Sequence, residues 1–69
     1  MDDEKIGALA DVVMRESRRA WEARKRGDKR EMAEAIGYMR DATYIALHAG
    51  AAQRLADVLT ARGFGAPRQ

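Results

Sequence analysis

Seven residues, Lys25-Arg26-Gly27-Asp28-Lys29-Arg30-Glu31, do most to restrict what this chain can fold into. Gly27 tolerates the positive φ that a helix C-terminus favours, and Lys25 and Arg26 put cations in the last turn, where the helix dipole stabilises them. Asp28 is a good N-cap, and Glu31 stands three residues on, placed to reach back to the cap N–H as in a capping box. One helix therefore stops here and the next starts at once. So short a connection forces the two helices to lie antiparallel and side by side.

The flanking sequence supplies both helices. Over residues 3–26, Ile6, Leu9, Ala10, Val13, Ala20 and Trp21 recur at helical spacing with Ser17 among them, while Asp11, Arg15, Arg18, Arg19, Glu22, Lys25 and Arg26 take the opposite side. Gly7 lowers helix propensity by about 1 kcal/mol relative to alanine, so the first turns are expected to fray. The second helix is expected over 28–62, and its pattern changes partway. Met32, Ala35, Ile36, Met39, Ala42, Thr43 and Ala46 form one stripe, assigned to packing on the first helix. Tyr44, Leu47, Ala51, Leu55, Val58 and Leu59 form a second stripe turned well away from it. One partner helix cannot cover both. At about 1.5 Å per residue the first helix reaches back only to the neighbourhood of residue 52, leaving the end of the second uncovered.

Two arrangements cover that surface. A second copy of the hairpin can pair across it, giving a homodimeric four-helix bundle whose oligomer interface is Tyr44, Leu47, Ala51, Leu55, Val58 and Leu59. Alternatively the helix breaks near Gly50 and the remainder folds back as the third helix of a monomeric bundle. The stretch around Gly50 holds no proline and no Ser, Thr, Asp or Asn to cap a new helix, which favours the unbroken helix and the homodimer. The domain is expected to span 1–62. Arg62-Gly63 repeats the cation-then-glycine stop, and 63–69 is expected to be a flexible tail.

Size and composition narrow the class. Sixty-nine residues make one small domain, and a chain this short buries too little surface to be comfortably stable alone, which is a further reason to expect oligomerisation. The absence of cysteine removes disulfides and thiolate metal sites, and a single histidine cannot build a conventional zinc site. Alanine, arginine, glutamate and leucine abound and the only proline is Pro67, so the fold class is all-α. No apolar run approaches the roughly 20 residues needed to cross a bilayer, and the start Met1-Asp2-Asp3-Glu4 is acidic where a signal peptide is basic. The expectation is a cytoplasmic protein with no membrane partner.

Charge is unevenly spread. The formal net charge is +2, but residues 1–14 carry four carboxylates against Lys5, and residues 15–30 carry eight cations against Glu16, Glu22 and Asp28. The positive charge gathers towards the hairpin tip. Arg15, Arg18, Arg19, Arg26, Lys29 and Arg30 are therefore candidate contacts for nucleic-acid phosphate or another acidic partner. Carboxylates interleave them at i, i+3 and i, i+4 spacing, where they can instead form a solvated, salt-linked face.

Chemistry-bearing residues are few. His48 lies one turn from Tyr44 without the orienting partner a general base needs, and Glu31 and Glu34 lack the Glu-x-x-His spacing of di-iron bundles. Trp21 is read as an anchor packing near Met32 and Ile36, or as a hot spot for a partner protein. Met14, Met32 and Met39 fill core, or form an adaptable groove. These features predict no catalytic, cofactor or metal site. They predict a small non-enzymatic protein-interaction module, an adaptor, regulator or inhibitor of a larger protein that acts as a self-associating hairpin; the second reading is a nucleic-acid-binding regulator.

Overall fold

The hairpin tip forms where the sequence places it, except that Glu31 does not reach back to the cap: the Asp28 N–H donates to the Ala23 carbonyl, and the Glu31 carboxylate pairs with Arg19 and Arg26. A computed structural model describes residues 1–65, and within them α1 spans Asp3–Arg26, α2 Lys29–His48 and α3 Ala52–Ala61. At the end of α1, Gly27 takes φ 73°, and the N–H groups of Gly27 and Asp28 donate to the carbonyls of Arg24 and Ala23 at 3.1 and 2.9 Å. This is the paired Schellman bonding that satisfies the last carbonyls of a helix. Asp28 then caps α2, its carboxylate accepting from the Glu31 N–H at 3.0 Å. The start of α1 is also tied down. Asp2 accepts from the Lys5 N–H at 2.9 Å, and Ile6 is buried, which counters the helix weakness expected at Gly7.

The second helix is not continuous to residue 62. It stops at His48, and α3 folds back antiparallel to α2 and alongside α1, so the architecture is the up-down-up three-helix alternative. The bonding at the break matches that at Gly27: Gly50 takes φ 69°, its N–H donates to the Leu47 carbonyl at 3.1 Å, and the Ala51 N–H donates to the Ala46 carbonyl at 2.8 Å. What misled the sequence reading is the start of α3. Ala51 occupies its N-cap with no side-chain hydrogen bond, so the expected capping signal was never there to find. The enclosure of Leu55 against Ala10 and Ala46 stabilises the fold-back in its place.

The fold-back also redistributes the second stripe. Ala51 and Leu55 are buried within their own chain, and Val58 and Leu59 are partly buried against Ala10, Ala46 and Leu55. Tyr44 and Leu47 remain exposed. The six expected interface residues therefore do not form one outward surface. Arg54 and Arg62 hold α3 to the acidic half of α1: Arg54 pairs with Asp3 and donates to the Met1 carbonyl, and Arg62 pairs with Asp11.

Six of the nine buried apolar residues are alanines, so α1 and α2 approach with little more than methyl groups between them. Ala35 and Ala42 stand seven apart on α2, as Glu16 and Ala23 do on α1, a spacing that keeps one seam facing its partner. The larger apolar side chains are left to the margins of the contact. Of the expected tail, Gly63, Phe64 and Gly65 form turns after α3, and the N–H groups of Gly63 and Phe64 repeat the glycine stop by donating to Thr60 and Leu59, each at 2.9 Å. Residues 66–69 lie outside the described residues.

The break makes a prediction whose sign is informative. Within a continuous helix, Gly50→Ala would stabilise by about 1 kcal/mol. At φ 69° the added Cβ is strained, and the substitution is expected to destabilise by about 1–2 kcal/mol in urea titration. A raised midpoint would contradict the fold-back.

Candidate functional site

Helix lengths decide where the surface stays open. With 24 residues in α1, 20 in α2 and 10 in α3, the three run to about 36, 30 and 15 Å. Because Arg54 reaches Asp3 and Arg62 reaches Asp11, α3 fills only the upper half of the furrow between α1 and α2. Below it the furrow continues, open to solvent, with a volume of about 840 Å³. Its apolar lining comes from Met14 and Trp21 on α1, Met32, Ile36 and Met39 on α2, and Phe64 at the upper end.

Trp21 is not the enclosed anchor that the sequence favoured. It is 43% exposed and Ile36 beside it 42%, large values for residues of their size, while the three methionines and Phe64 are half-buried. The helix pairing is responsible. Close contact between α1 and α2 runs through Ala23, Ala35 and Ala42, so residues flanking that seam are raised on its shoulder instead of lying within it. The reading of Met14, Met32 and Met39 as lining a groove matches their placement.

The rim of the furrow is basic. The Arg24 guanidinium lies 5.6 Å and the Lys25 ammonium 5.7 Å from the centre of the Trp21 ring, in reach of cation–π attraction. Arg18 also lines the furrow, and Glu22, which pairs with Lys25 at 3.5 Å, is the carboxylate among these lining residues. On α2, Lys29, Ile36 and Arg40 are spaced by seven and four, which places them along one face of the helix. Arg18, Lys29, Arg30 and Arg40 are exposed and form no ion pair among the described residues.

The remaining members of the predicted basic band behave differently. On the opposite flank of the hairpin, Arg19 donates to Glu34 at 2.8 Å, Glu16 at 3.1 Å and Glu31 at 3.3 Å, and Arg26 also pairs with Glu31. Hydrogen bonds donated by Arg19 to Glu34, then Glu31, then Glu16 push its pKa further above its already high ordinary value. The sign follows: a raised pKa on a cation contributes stability at every pH below the arginine range, so Arg19 creates no pH sensitivity near neutrality. The network clamps α1 to α2. Glu16, expected on a solvated, salt-linked face, is instead buried, and Arg19 satisfies it. Arg15 is exposed, with its Nε 3.8 Å from Glu16.

The other candidates stay apart from the furrow. His48 stacks on Tyr44 with ring centroids 4.1 Å apart, both exposed. Among the described residues no group of three or more His, Cys, Asp or Glu is arranged to hold a metal, and no helix is long and apolar enough to cross a membrane. Comparison with known proteins gives no relative: no family model, no curated protein and no solved structure matches the chain.

Proposed function

We propose that this chain is a small non-catalytic protein-interaction module, an adaptor, regulator or inhibitor that docks a partner protein in the furrow between α1 and α2. One observation carries the reading: Trp21, Ile36 and three methionines line a furrow that α3 is too short to cover. Tryptophan supplies interface hot spots, and methionine adapts to the shape of what it meets. Exposed apolar residues scattered singly need no explanation; here they gather along one concave surface, which supports the docking reading.

The test is retention of proteins from the host lysate, after nuclease treatment, by the wild-type chain and by Ile36→Glu. Ile36 is half-exposed, so the variant is expected to keep its helical circular dichroism while losing about tenfold or more of the retained partner. Equal retention by both chains would contradict the reading.

A second reading, phosphate binding by the hairpin tip, is favoured by the guanidinium and ammonium groups of Arg18, Lys29 and Arg30, which form no ion pair among the described residues. The engagement of Arg19 and Arg26 by carboxylates weakens it. Its signature is retention lost on nuclease treatment, with affinity falling steeply as salt is added.

A further inference from the structure

Resting on the docking reading above, we infer that the partner segment is an acidic amphipathic α-helix of another protein, two to three turns long, seated in the lower furrow. The upper furrow shows what this surface accepts. There α3 presents Leu55, Val58 and Leu59, at i, i+3 and i+4, to the helix pair, and its flanking arginines meet carboxylates of α1. The half of α1 beneath α3 is the acidic half, and it is met by Arg54 near the start of α3 and Arg62 at its C-cap, while the one carboxylate of α3, Asp57, accepts from Gln53 on α3 itself. The lower furrow repeats the shape with the charge inverted. Arg18, Arg24 and Lys25 stand along its α1 edge and Lys29 and Arg40 on the neighbouring face of α2, against Glu22. A helix lying there meets apolar groups along its inner stripe and cations at its flanks, so it needs carboxylates where α3 has arginines.

Length fixes the size of the segment. From Met14 to Lys25 the α1 wall runs about 17 Å, or roughly eleven residues of helix. Apolar anchors at i, i+4, i+7 and i+11 span that distance on one face.

The same charges argue against the other occupants. A second copy docked about a two-fold axis on this furrow would set the cations of one rim against the identical cations of the other. A nucleic acid would meet the rim but leave the methionines and Ile36 without an apolar partner.

Trp21 is the single tryptophan of the chain, so its emission reports occupancy of the furrow directly. The probes are two peptides of about fourteen residues with leucine at the four anchor positions and either glutamate or lysine at the flanks. At about 50 mM salt the glutamate peptide is expected to shift Trp21 emission and bind at least roughly tenfold more tightly than its lysine twin, the ratio shrinking towards one near 1 M. Arg18→Glu/Arg40→Glu, with both changes at exposed positions, leaves three cations against three carboxylates on the rim and is expected to abolish the preference.

Four results overturn the inference. Equal or tighter binding of the lysine peptide removes the acidic preference and, if Ile36→Glu abolishes both peptides, leaves the docking reading standing. Binding of neither peptide at about 1 mM removes the helix as occupant, and the docking reading falls with it only if lysate retention is also unchanged by Ile36→Glu. Sedimentation showing a dimer that buries Trp21 assigns the furrow to a second copy. An oligonucleotide that shifts Trp21 emission more tightly than the glutamate peptide assigns it to nucleic acid.

Discussion

Leu55→Ala is expected to lower the stability of the chain by about 2–5 kcal/mol, whereas Leu47→Ala is expected to stay within about 0.5 kcal/mol of wild type. Both leucines belong to the stripe that the sequence assigns to an oligomer interface, and only the fold-back separates them. Leu55 is 3% exposed and packs with Ala10 and Ala46, so truncation removes buried methyl groups and leaves a cavity. Leu47 is 60% exposed and loses little. For a domain whose total stability is of order 5 kcal/mol, the first substitution removes most of it. Urea titration by far-UV circular dichroism reads the difference, and hydrogen exchange should show lost protection concentrated in residues 52–61. The effect should not vary with protein concentration. A loss at both leucines that diminishes as the chain is concentrated would instead place them in a contact between copies.

The second large effect is expected at Ile6. It is the largest side chain fully enclosed among the described residues, and Ile6→Ala should also cost about 2–5 kcal/mol. Its position gives the loss a distinct signature. Ile6 lies one turn beyond the Asp2 cap and three residues after Asp3, which pairs with Arg54 of α3, so the variant is expected to loosen the start of α1 and the seat of α3 together. A urea midpoint lowered by less than a third of the Leu55→Ala shift would mean that the N-terminal turn is not held by this residue.

Much of this architecture is legible in the sequence, and the failures have separate physical origins. Gly27 and Asp28 announce the tip because stop and start signals coincide there, and the structure obeys both. Gly63 is legible as a stop because it follows Arg62 as Gly27 follows Arg26. At Gly50 a stop stands without a start, since Ala51 offers no cap, and weighing the missing start above the glycine gave the unbroken helix. Trp21 and Ile36 mislead differently: hydrophobic periodicity identifies the side of a helix that meets a neighbour but not the distance of approach. Where the seam is alanine, the helices close before large flanking residues can enter. The furrow exists because α3 has 10 residues against 24 in α1, a difference that depends on the break at Gly50. The partition of arginines was equally hidden, because spacing alone could not show that Arg19 meets three carboxylates while Arg18, one residue earlier, faces the furrow.

The predominance of alanine at the contact between α1 and α2 has a calorimetric consequence. Methyl groups bring backbones together while removing little hydrocarbon from water per residue, and hydration of newly exposed hydrocarbon is the main source of the heat-capacity increment of unfolding. That increment should fall below the usual ~12–15 cal/mol/K per residue, so the curve of stability against temperature is broad and flat, and chilling weakens this fold less than one built on leucine and phenylalanine.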